Sequence, residues 1–133
     1  MNGFDSLQEV KDFFKNDLYA TKLSGIKIEE VKDDYCKCSM KITDDHKNAA
    51  GGVMGGAIFT LADFCSAVSV NKKDALAVAA QSSISFLNGA KGDTLIAENS
   101  LQKNGKRMNF NLIKIYDNLG TLVAEATFVS AKI

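Results

Sequence analysis

Apolar residues recur at three- and four-residue spacing at the start of the chain and at two-residue spacing over most of the rest. Over residues 4–19, Leu7, Val10, Phe13, Phe14 and Leu18 fall on one stripe with charges between them, which predicts an amphipathic helix. Asp5 or Ser6 is placed to cap it, and Gly25 interrupts the chain beyond its end. Residues 26–31 and 35–42 read as two strands joined by the turn Lys-Asp-Asp. In the second, Cys36, Cys38, Met40 and Ile42 share one face, and Lys37, Ser39 and Lys41 the other. A polar loop ending in glycines comes next. Residues 57–70 are then apolar on nearly every side, the mark of a helix surrounded by protein.

Four more strands are predicted, at residues 76–87, 93–102, 107–116 and 121–131. Asn104-Gly105 is a strong hairpin signal, and Asp117 to Gly120 reads as another turn. Proline is absent, so the turns depend on Gly, Asn and Asp. The order is helix, two strands, buried helix, four strands. Consecutive strands joined by hairpins make the sheet largely antiparallel. A single sheet has to surround the buried helix, so it must curl. The fold class is α+β: a curved antiparallel sheet wrapped around one long central helix, plus an N-terminal helix.

Composition narrows the function classes. At 133 residues the chain fits one domain, residues 1–133, and at 46% hydrophobic it is globular. Lys+Arg and Asp+Glu balance at 16 each, which supports neither nucleic-acid binding nor a polybasic membrane anchor and is compatible with self-association. The N-terminal stretch lacks the basic and apolar regions of a signal peptide, and the apolar run 53–70 carries Asp63 at its centre. The expectation is a cytoplasmic protein without a membrane span. Three cysteines and His46, with no paired Cys-x-x-Cys spacing, fall short of a zinc set, so no metal is expected and the cysteines read as small apolar side chains.

The segment from Asn48 to Asp63 concentrates the unusual features. Glycines at 51, 52, 55 and 56 flank Val53 and Met54, and a lone carboxylate sits in an apolar helix. The spacing resembles the hotdog-fold acyl-CoA thioesterases, in particular the phenylacetyl-CoA and hydroxybenzoyl-CoA thioesterase branch. The family pattern N-x-x-G-x-x-H-G-G-x-x-x-x-L-x-D is matched without a gap by Asn48, Gly51, Gly55, Gly56, Leu61 and Asp63. Met54 stands where the family has its histidine. The likeness extends through the later strands and implies a hotdog fold, hydrolysis of an acyl- or aryl-CoA to a free acid and coenzyme A, and no cofactor beyond the coenzyme A of the substrate.

The residues fit that chemistry. Gly55 and Gly56 open the helix, where free N–H groups and the positive dipole end can polarise a thioester carbonyl. Asp63 by itself could be a carboxylate that reaches solvent or pairs with a cation, and the resemblance implies that it is the general base or nucleophile. Asn48 is a common turn residue that the resemblance implies also orients water or the carbonyl. Eight residues separate Gly55 from Asp63, about 12 Å along a helix. One carbonyl cannot touch both on the same helix. The site should therefore be composite, with Asp63 from one subunit of a homodimer or homotetramer and Asn48 and Gly55 from the other. Met54 replaces an imidazole with an apolar thioether that cannot supply a proton. Gly56 and Met54 are expected to border the substrate, and Lys106 and Arg107 either to meet coenzyme A phosphates or to form a solvated hairpin tip. Many family members also place a Ser or Thr opposite the acid. Ala79 falls there, with Ser82 or Ser83 as replacements if the register slips. His46 reads as a solvated loop residue and Cys65 as core. A non-catalytic acyl-CoA-binding or regulatory hotdog protein is the competing reading, and a dehydratase-type hotdog a third.

Overall fold

The computed structural model describes residues 2–133. The elements run α1 (Leu7–Phe14), a π-helical turn (Tyr19–Leu23), β1 (Ile26–Lys32), β2 (Tyr35–Lys41), a 3-10 turn (Asp44–His46), α2 (Gly55–Val70), β3 (Ala77–Phe86), β4 (Thr94–Asn104), β5 (Met108–Asp117) and β6 (Leu122–Lys132). All strand pairs are antiparallel, and the sheet order is β1-β2-β4-β5-β6-β3. The sheet and the long helix it packs against are those the periodicity predicts, with ends displaced by one or two residues.

α2 touches every strand. Leu61, Ala62, Cys65 and Val68 lie in the core against Met40, Leu95, Ile113 and Phe128. Burial of one such Leu or Val side chain contributes about 2 kcal/mol, so the all-round apolar pattern of α2 is a stability requirement before it is a functional one. No helix among the described residues is long and apolar enough to cross a membrane.

α1 ends earlier than its periodicity suggests. Ser6 caps it, accepting from Glu9 N–H at 3.1 Å. The buried Phe14 ring meets Phe64 of α2 edge-on at 5.8 Å, which docks the helix there. The chain then turns through Asn16 and Asp17 into the π-helical turn. Leu18 fits the apolar stripe of a continued helix, but it, Tyr19 and Leu23 are exposed.

β3 is an edge strand, paired among the described residues with β6 alone. A bulge between Ala79 and Gln81 shifts its register by one residue. Ala79 opposes buried Ser130 and Ser82 opposes buried Phe128, so both face the helix side, while Ser83 faces out.

Candidate active site

The chain between the 3-10 turn and α2 is held by its own backbone. Lys47 bridges Val53, and Asn48 N–H donates to the Gly52 carbonyl at 2.8 Å. Asn48 Oδ1 accepts from Ala50 N–H at 3.0 Å and Gly52 N–H at 3.1 Å. Its turn role is thus real, and its Nδ2 makes no hydrogen bond among the described residues. Gly51, at φ +91, takes a backbone conformation that side chains disfavour.

His46 corrects its reading as a solvated residue. It is buried, and its Nε2 donates to the Ser24 carbonyl at 2.9 Å while Nδ1 accepts from Thr43 N–H at 3.0 Å. Its carbonyl accepts from Met54 N–H at 2.8 Å. The imidazole therefore ties the end of the π-helical turn to the strap that delivers α2. Both partners are remote or backbone groups, which is why a polar sequence neighbourhood did not reveal its burial.

α2 begins at Gly55 with Met54 as N-cap, and no side chain caps it. The N–H groups of Gly55 and Gly56 have no partner among the described residues. Gly55 borders an open groove of about 700 Å³ lined by Val53, Ile58, Phe86, Ala90 and Val123. A Cβ on Gly55 would stand 3.0 Å from the Phe86 ring, whereas one on Gly56 would meet nothing within 4 Å. The two glycines do different work: Gly55 lets the Phe86 ring lie against the start of α2, and Gly56 leaves its backbone open. Met54 is 56% exposed and outside the lining. Lys47 is a cation at the rim that the sequence did not single out.

Asp63 lines a different cavity, of about 270 Å³, with Asp17, Leu18, Tyr19, Thr60 and Phe64. Although its side chain is exposed in the single chain, burial of the carboxyl end and the Asp17 charge push its pKa up. Burial likewise raises Asp17. The acid limb of any activity that needs ionised Asp63 is thus expected above the ordinary Asp value of about 3.9. Asp17→Asn removes a like charge, so that limb should move to lower pH in a kcat/KM profile. A limb that stays in place removes Asp17 from the electrostatics of the site.

The structure does not bring all the sequence-derived candidates together. Asn48 and Gly55 share the helix-start region, and Asp63 is separate. Lys106 and Arg107 are exposed at the β4–β5 hairpin. Between the Leu95–Asp117 pair, at the groove end of the sheet, and the Asn104–Asn109 pair at the hairpin, nine residues at about 3.4 Å each separate the ends by about 30 Å. Within one chain these cations do not reach the Gly55 groove.

Asp117 is a further residue that sequence pattern marked only as a turn. Burial alone would push its carboxyl up, but N–H donors from Lys91, Gly92, Leu119 and Thr121 at 2.7 to 3.0 Å outweigh it and hold it well below the usual range. Lys91 and Gly92 belong to the loop along the groove, so this carboxylate shapes its wall. A depressed pKa adds stability that is present above the unfolded value of about 3.9 and lost as pH falls through the folded value. Asp117→Asn should lower the thermal midpoint at neutral pH, and its deficit against the wild type should shrink below about pH 4 in thermal melts. A constant deficit would mean that the charge is not what the turn requires.

Residues 19–130 match the protein family described as a domain of unknown function, DUF4442. The acyl-coenzyme A thioesterase PaaI of Escherichia coli is 31% identical over 118 residues, which cover 88% of this chain and 84% of that protein. The chain belongs to the hotdog-fold acyl-CoA thioesterase family. Solved structures of this hotdog family agree. That of the Escherichia coli PaaI protein from the phenylacetic acid degradation operon superposes with a TM-score of 0.83 at 26% identity, covering 96% of both chains. A hypothetical thioesterase protein of Streptococcus pneumoniae, solved with coenzyme A, gives 0.82 at 25% identity, covering 90% of this chain and 96% of that one. The curled sheet and single long helix are thus the hotdog architecture that the motif implied.

Proposed function

We propose that the protein hydrolyses an acyl- or aryl-CoA thioester to a free acid and coenzyme A, at a site composed across a dimer interface. The observation that carries this reading is the division of α2 into two half-sites. Its N-terminus offers unpaired Gly55 and Gly56 N–H groups beside an apolar groove, and Asp63 lines another cavity. Each half lacks what the other has. Donors at a helix start stabilise an oxyanion, and an ionised carboxylate attacks the thioester carbon or activates water. Coenzyme A phosphates would then meet Lys47 of one subunit or the Lys106–Arg107 hairpin of the other.

The surface supports pairing. β3 is a ten-residue edge strand with Val78 50% and Phe86 54% exposed, and Leu76 and Leu87 beside its ends are exposed as well. A long edge strand left open, with exposed apolar side chains near both ends, invites association. Ser82, half-buried on the helix face, has a hydroxyl without a hydrogen bond among the described residues and is the serine that the bulge offers to an acid across the interface. Light scattering should give a dimer or a tetramer at micromolar concentration. A stable monomer with full activity would end the composite-site argument.

Free-thiol release from aryl-, short-chain and long-chain acyl-CoAs tests the activity directly. The aromatic and aliphatic walls from Phe86, Ile58, Leu18 and Tyr19 predict turnover of apolar acyl groups. The exposed Met54, in place of the motif histidine, favours a second reading, a protein that binds acyl-CoA without cleaving it. Binding by calorimetry with no thiol released from any ester would establish that reading instead.

A further inference from the structure

Three thiols from two distant parts of the chain meet in the core. Cys36 and Cys38 project from β2 toward α2, and Cys65 descends from α2 between them. The Cys36 and Cys38 sulfurs are 3.8 Å apart, and all three lie within 4.8 Å of one another. Each is fully buried, and none is in a disulfide. Cys65 Sγ also points at the carbonyls of Cys36 and Ala97, at 3.6 and 3.7 Å. His46, counted in the sequence as a possible fourth ligand, is engaged with Ser24 and Thr43 and does not belong to the cluster.

The triangle has the dimensions of a coordination site. An ion bound to three thiolates at about 2.3 Å in one plane needs sulfurs about 4 Å apart, and a pyramidal centre needs them slightly closer. The observed separations, 3.8 Å for Cys36–Cys38 and at most 4.8 Å within the cluster, lie close to that spacing. Charge then selects the ion. Zinc with three thiolates leaves one net negative charge, and a monovalent copper leaves two. Either charge would be buried in an apolar core, a cost of several kcal/mol when uncompensated. A trivalent centre with three thiolates is neutral.

We propose that Cys36, Cys38 and Cys65 form a binding site for a trivalent thiophilic metalloid, of which arsenite is the probe. The reaction balances without a redox step. Three As–S bonds replace three As–O bonds, and each thiol proton leaves with one hydroxide as water. The product adds no charge to the core and cross-links α2 to β2. Because the thiols are sealed from solvent, uptake waits on transient separation of α2 from the sheet and is slow.

The test uses the reduced full-length protein with arsenite. Native mass spectrometry should show one arsenic taken up with loss of three protons per chain, and X-ray absorption should count three sulfur neighbours. Cys65→Ala, checked for folding by circular dichroism, should bind at least tenfold more weakly. It retains only the Cys-x-Cys pair, which an unfolded chain also offers. An equal concentration of zinc should not block uptake. Two sulfurs in the wild type, no retained arsenic, equal affinity in folded Cys65→Ala, or a zinc ion held against a chelator in place of arsenic would each overturn the proposal. If Cys65→Ala does not fold, the sulfur count in the wild type still decides.

Discussion

Asp63→Asn should lower thioester hydrolysis by about two orders of magnitude or more while leaving fold and assembly intact, the scale expected when a general base or nucleophile is lost. The substitution keeps the side chain's size. It removes the group's ability to accept a proton or form an acyl intermediate. Stability should not suffer, because the Asp63 side chain makes no hydrogen bond or ion pair among the described residues and its raised pKa shows an ionised form disfavoured by its surroundings. A raised folded pKa means that ionisation costs stability once pH exceeds the unfolded value, so Asp63→Asn should match or slightly exceed the wild-type thermal midpoint at neutral pH. Loss of turnover with gain or constancy of midpoint separates a functional carboxylate from a structural one. Unchanged turnover would remove Asp63 from the mechanism. Composition of the site across subunits adds a second readout. Mixing Asp63→Asn subunits with subunits blocked at the groove by Gly55→Val should recover activity, since hybrid dimers regenerate one intact site. Inactive mixtures of exchanging subunits would place both groups in one chain.

The sequence carried those features that periodicity or fixed spacing encodes. Alternation along β1, β2 and β4 to β6, the all-apolar α2 and the Asn104-Gly105 hairpin correspond to local physics, and they appear in the structure nearly where the pattern puts them. The Asn48 to Asp63 motif was legible for the same reason, being contiguous. What escaped depends on residues far apart in sequence. Leu18 extends the stripe of α1, yet Phe14 has already docked on Phe64, and the chain turns away. His46 sits among polar neighbours, but its partner is the Ser24 carbonyl, 22 positions back. One unpaired residue in β3 brings Ser82 rather than Ser83 to the helix face, and alternation cannot anticipate a bulge. Asp117 looks like any turn aspartate until the loop at Lys91 and Gly92 folds onto it. The thiol cluster was half visible, since Cys36 and Cys38 share a strand face. Cys65 joins them only once helix and sheet pack.

Met54→His should raise kcat on at least one acyl-CoA by about tenfold, which corresponds to about 1.4 kcal/mol of barrier. The substitution completes the family motif at a position where the structure makes it easy to accept. Met54 is the N-cap of α2 and contributes its backbone: its N–H goes to the His46 carbonyl and its carbonyl accepts from Ala57 and Ile58. None of these bonds depends on the side chain. At 56% exposure the thioether fills no core space, so removing it leaves no cavity in the chain. An imidazole there would stand next to the unpaired Gly55 and Gly56 N–H groups and add a side-chain donor where charge develops on the thioester oxygen. A gain confined to kcat identifies a transition-state interaction that this chain lacks. If Met54 instead covers the substrate as an apolar contact, the same change raises KM on the best substrate and leaves kcat near its starting value. If both proteins bind acyl-CoA and neither releases thiol above the uncatalysed rate, the chain binds without hydrolysis. Measuring kcat, KM and the dissociation constant for both versions separates the three outcomes. Only the first is consistent with a hydrolase whose helix start and carboxylate are in place and whose motif histidine is the missing part.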